Sequence, residues 1–144
     1  MKAIWLVPVD GSPAALHAVE HVVGEASDRE ALAAPLVMLI NIQVPLPADV
    51  ARFMDRTILR DYHRDAAEAA LGNARVLLQQ AGMAFSEHVL VGEVAATIAA
   101  FAKEHGCTRI VMGARGLGAV TGLLLGSVTA RVLHLTELPV MVVK

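Results

Sequence analysis

Lysine and aromatic side chains are scarce in this 144-residue chain: Lys2, Lys103 and Lys144 are its only lysines, and aromatics make up 3%. A net charge of −2 gives no basic face of the kind that nucleic-acid readers carry. A single cysteine, Cys107, excludes an internal disulfide and fits a reducing, cytoplasmic compartment. No lysine follows a glycine loop, so the Walker pattern G-x-x-x-x-G-K-[ST] is missing. The first turn, Asp10-Gly11-Ser12-Pro13, is not G-x-G-x-x-G either, which removes the dinucleotide fingerprint. The longest uncharged stretch, 31–48, is interrupted by Pro35, Pro45, Pro47, Asn41 and Gln43, and it reads as loop, strand and loop rather than a membrane span. Met1-Lys2 leads straight into a strand-like run, which is no signal-peptide pattern.

What is abundant is aliphatic. Hydrophobic residues reach 56%, enough to bury a substantial core in one domain over residues 1–144. Apolar runs alternate with helical segments, the pattern of a parallel sheet covered on both faces. Strands are expected at Ala3–Val9, Leu36–Val44, Met83–Val91 (an edge), Cys107–Gly113 and Pro139–Lys144. Helices are expected from Pro13, capped by Ser12, to about Gly24; from about Asp49 to Ala81, stopped at Gly82; from Glu93 to His105, stopped at Gly106; and from Ser127 to about Thr136. Right-handed crossovers leave few sheet orders. The order 3-2-1-4-5, an open doubly wound α/β sheet with helices on both faces, sets the ends of strands one and four side by side. Asp10 and Gly113 then meet at the topological switch point, where such sheets bind ligands.

The densest motif is Gly113-x2-Gly116-x9-Gly126-Ser127. Glycines permit close backbone approach, and a helix N-terminus offers unpaired N–H donors and partial positive charge. Together with the Ser127 hydroxyl, which can cap the helix or meet an oxygen, they suit phosphate.

With G-x2-G-x9-G-[ST] after its fourth strand, the chain resembles the nucleotide-binding branch of the universal stress proteins. Ile4–Ser12 (IWLVPVDGS) and Leu138–Val143 resemble that family's first and last strands. The resemblance implies a cytoplasmic stress-response protein that binds ATP or a related adenine nucleotide, with Mg2+, as a regulatory ligand. It places Pro8, Val9, Asp10 and Ile42 around the nucleoside. Met112, Gly113, Arg115, Gly116, Gly126, Ser127, Val128 and Thr129 would surround the sugar and phosphates. It also implies a homodimer, or a tetramer built from it, paired through residues 139–144. Asn41 stands where relatives frequently carry histidine.

Two other readings compete with that one. A slow ATPase or self-phosphorylating protein would use Ser127 or Thr129, but no base and no magnesium aspartate are evident, so no catalytic residue is assigned. A nucleotide-free dimeric scaffold would leave the glycines unexplained. Asp10 also suits an Asx-turn, and Arg115 a solvated position. The loop Leu117–Leu125 carries no charge, which weakens the expected hold on outer phosphates; Leu123, Leu124 and Leu125 are expected to plug it onto the domain or a partner subunit. Arg52, Arg56, Arg60 and Arg64, spaced i,i+4, read as a solvated face amid acidic neighbours. His17 and His21 share a helix face, but no metal ligand set emerges. The start of the third helix, Glu93-Val94, is expected to leave the crevice untouched.

Overall fold

The apolar runs form five parallel strands in the order β3-β2-β1-β4-β5. The computed structural model describes residues 2–116 and 124–144. Its elements are β1 (Ile4–Pro8), α1 (Pro13–Ser27), β2 (Leu36–Gln43), α2 (Ala48–Ala51), α3 (Arg56–Gln80), β3 (Phe85–Val91), α4 (Val94–Glu104), β4 (Arg109–Gly113), α5 (Ser127–Leu135) and β5 (Val140–Val143). The expected order holds, with β3 and β5 at the edges.

Side chains alternate across each strand, so one strand feeds two cores. Trp5 and Val7 of β1, and Val9 just after it, face α1 and α3, with Val37, Leu39, Leu71, Leu78 and Val111. Leu6 faces the other way with Ile40, Ile98, Phe101, Ile110 and Val132, under α4 and α5. β1 occupies the centre, pairing Ile4–Pro8 with Leu36–Ile40 on one side and Trp5–Leu6 with Arg109–Ile110 on the other. At the N-terminal end of the sheet, the Arg109 guanidinium lies 4.4 Å from the Trp5 ring centre and donates to Glu25 at 3.0 Å. Cys107 is buried, and that burial pushes its thiol pKa up, as for a small core residue.

Two helix boundaries differ from expectation. Gly24 does not stop α1, which runs to Ser27. A Cβ at Gly24 would meet nothing within 4 Å, so this is an open helix position that costs only glycine's poor propensity. The segment 49–81 is not one helix. Asp55 accepts the Ile58 N–H at 2.8 Å and starts α3 afresh, leaving α2 as a single turn. The four arginines therefore share no single helix: Arg52 caps the end of α2 and pairs with Asp49, while Arg64 pairs with Asp61 on α3. No helix of the described residues is long and apolar enough to cross a membrane.

Candidate functional site

The carboxyl ends of β1 and β4 are finished by two turns. After β1, Val9 N–H continues the ladder to the Ile40 carbonyl at 2.8 Å, and the chain then turns at Asp10. The Asp10 Oδ1 accepts the Ser12 N–H at 2.9 Å, and the Ser12 Oγ accepts the Ala15 N–H at 3.1 Å. Pro13 follows at the first helical position, where its missing N–H is harmless. Gly11 holds the turn with φ +86°, a conformation that L side chains rarely adopt.

After β4, Ala114 N–H donates to the Val143 carbonyl at 2.8 Å, and Gly126 N–H returns to the Ala114 carbonyl at 2.7 Å. That bond sets the start of α5 against the end of β4. Gly126, not Ser127, is the N-cap, and no side chain caps this helix. Ser127 is exposed at the first helical position, so the expected capping role does not hold. Thr129 is buried and donates its hydroxyl to the Gly113 carbonyl at 2.9 Å, pinning the helix to the strand.

The motif glycines serve three different contacts, and none has a positive φ. A Cβ on Gly113 would lie 2.7 Å from the Ala14 carbonyl carbon, so this glycine lets α1 pack onto β4 rather than a ligand onto the turn. A Cβ on Gly116 would lie 2.5 Å from the Asp10 Oδ2, which brings the two turns together. A Cβ on Gly126 would sit 3.3 Å from the Arg115 Cα, a tight but smaller conflict.

Between the turns lies a cavity of about 430 Å³. Pro8, Val9 and Asp10 line it from β1 and its turn, Ile42 from β2, and Met112 and Gly113 from β4. Arg115, Gly116, Gly126, Ser127, Val128 and Thr129 line it from the motif. Every site residue expected from the sequence therefore faces one space. Six further residues line it: Ser12 of the first turn, and Ala15, Ile40, Val44, Val94 and Ile98, which belong to no motif. Val94 and Ile98 overturn the expectation that the start of α4 stays clear of the crevice. Only the strand order could have signalled them, since the connection from β3 to β4 has to carry α4 across the sheet.

The wall behind Val9 is polar and internally satisfied. Asn41, 5% exposed, donates to the Val9 carbonyl at 2.9 Å. Gln43 donates to the Asn41 Oδ1 at 3.1 Å and to the His63 carbonyl at 2.8 Å, and its own carbonyl bonds the His63 ring. This chain ties the cavity wall to α3. Leu124 is 78% exposed and does not plug onto the domain; Leu123 and the rest of 117–123 lie outside the described residues. His21 lies 3.8 Å from Glu25, and among the described residues no group of three or more His, Cys, Asp or Glu side chains could hold a metal.

Fold and cavity together define a doubly wound α/β domain with a ligand-sized crevice at its topological switch point. The Universal stress protein family matches residues 4–144, and the chain belongs to that family. Universal stress protein MJ0531 of Methanocaldococcus jannaschii is 30% identical over 140 residues, covering 96% of this chain and 80% of that protein. Among solved structures, hypothetical protein MJ0577 superposes with a TM-score of 0.83 at 28% identity, covering 100% of this chain and 96% of its own. The universal stress protein from Archaeoglobus fulgidus, solved in complex with dAMP, reaches a TM-score of 0.68 at 25% identity, covering 100% and 98%.

Proposed function

We propose that this chain is a cytoplasmic stress-response protein that binds an adenine nucleotide as a regulatory ligand in the cavity between β1 and β4. The observation that carries the reading is the convergence of two sequence-distant turns on one space. An apolar wall from Pro8, Ile42 and Met112 faces the uncapped start of α5 across it. The wall suits a flat base, and the free N–H groups suit a phosphate. The dAMP held by the Archaeoglobus fulgidus relative supports the same ligand class here. The bonds from Val9 through Asn41 and Gln43 to His63 give occupancy a route to α3.

The protein is not an enzyme on this reading. The Thr129 hydroxyl is buried and already donates to Gly113, so it is no nucleophile. Asp10 is the one carboxylate among the described lining residues, and phosphoryl transfer needs a base together with charge neutralisation. Any phosphate release from ATP is expected well below roughly 1 per second, the low end of ordinary turnover. As an exposed parallel edge, β5 is expected to pair with a second copy, giving a dimer by light scattering at micromolar concentration.

Native mass spectrometry of protein purified from cells tests the reading directly. A retained mass matching an adenine nucleotide, or its gain on adding AMP, is expected. No adduct and no thermal shift with millimolar adenosine, AMP or ATP would favour the nucleotide-free scaffold.

A further inference from the structure

We propose that Phe53 is a further ligand-contacting residue, carried by a flap of residues 45–54 that folds over the nucleoside; this rests on the nucleotide reading above. Both ends of the excursion that holds the flap are fixed at one place. The chain leaves the sheet at Val44, which lines the cavity and is 67% exposed. It returns along α3 to His63, whose carbonyl accepts at 2.8 Å from Gln43, the residue before Val44. The excursion therefore starts and ends at the carboxyl end of β2, beside the cavity.

The flap is bonded to itself and not to the body of the domain. Among the described residues, every hydrogen bond and ion pair of 45–54 stays inside that segment. The N–H groups of Val50 and Ala51 donate to the Pro47 carbonyl, those of Phe53 and Met54 to Val50 and Ala51, and Arg52 pairs with Asp49. α2 buries no residue, and α3 starts afresh under its own cap, Asp55. Segments with so few buried contacts open and close at little cost, as ligand lids do. Pro45 and Pro47 fix φ at the stalk and hold Val44 and Leu46 extended.

What the flap carries is apolar and unused. Phe53 is 87% exposed, and Val50 beside it is exposed as well. Pro8, Ile42 and Met112 offer the base one apolar face, and binding sites cover most of a small ligand's surface. An aromatic ring laid on the other face stacks on the base and shields it from water. Phe53 lies midway between Val44 and Tyr62. At roughly 3.3 Å per extended residue, the chain from Val44 has ample length to bring the ring back over the cavity.

Limited trypsin digestion of the full chain, with and without AMP at a concentration that calorimetry shows to saturate, tests the flap. Arg52 is exposed, and cleavage of the Arg52–Phe53 bond should slow at least tenfold once AMP is bound. Phe53→Ala should weaken AMP and adenosine by the same factor, at least fivefold, because the ring meets the nucleoside and not the phosphate. Its melting temperature without ligand should match that of the parent, since the ring is exposed. Phe53→Trp supplies a reporter, because the native Trp5 is buried; its emission should change when AMP is added. Unchanged cleavage at Arg52 with AMP bound, parental affinity in Phe53→Ala, or a loss confined to AMP would each overturn the flap and leave the nucleotide reading intact. No binding of AMP or adenosine by the parent chain would overturn the nucleotide reading, and the flap with it.

Discussion

Two helices begin at the mouth of this cavity, and they begin differently. The first turn of α1 is closed by its own sequence: Ser12 caps Ala15, Asp10 holds Ser12, and Pro13 has no N–H to satisfy. The first turn of α5 has Gly126 at its cap and no side chain over its donors. The same contrast holds against α3 and α4, which are capped by Asp55 and Glu93. A capped helix start is finished structure, whereas an uncapped one facing a cavity leaves its field and donors to whatever enters.

The largest expected effect separates packing from binding within the glycine motif. Gly113→Ala pushes a methyl into the Ala14 backbone and should cost about 1–3 kcal/mol of folding stability, the usual range for overpacking. Chemical denaturation would show it as a lowered midpoint with no ligand present. Supplying α5 with the cap it lacks comes next. Gly126→Asp should leave stability within about 1 kcal/mol while its carboxylate takes the donors, weakening AMP by about 2 kcal/mol, the worth of a hydrogen bond to a charged group. Calorimetry would read that as roughly thirtyfold. If AMP affinity survived, the α5 donors would not be the phosphate site.

Removing the cap that α1 has gives the converse. Ser12→Ala should cost about 1 kcal/mol of stability, yet leave the ratio of AMP to adenosine affinity unchanged. The smallest effect lies away from both turns. His88 packs against Phe101 and His105 at ring-centre distances of 4.9 and 5.9 Å, and burial, then the charge of His105, hold its pKa below the usual 6.5. A base with a depressed folded pKa stabilises the fold above its unfolded value and loses that contribution as pH falls. Melting temperature should therefore drop as pH falls below about 6.5, and His88→Leu should reduce the slope.

The strands and their order were legible because each central strand is buried on both faces and so reads as an unbroken apolar run. The break at Arg52–Asp55 was not legible from periodicity, since the flanking segments both favour helix; Asp55 was its one signal, an N-cap residue three before Ile58. The motif residues around the cavity were readable as a set, but their separate tasks were not. Gly113 answers to Ala14 across the sheet, a contact with no local trace in the chain. Val94 and Ile98 are ordinary aliphatics, and only the packing of α4 brings them to the site.

The central position of β1 also has a consequence in time. Trp5 pairs with Arg109, so β1 is completed on its second side only when about a hundred further residues have been made. At about 5–20 residues per second, a nascent β1 waits roughly 5–20 s on the ribosome for that neighbour. During that interval IWLVP presents an open apolar edge that a chaperone, or another nascent copy, can occupy first.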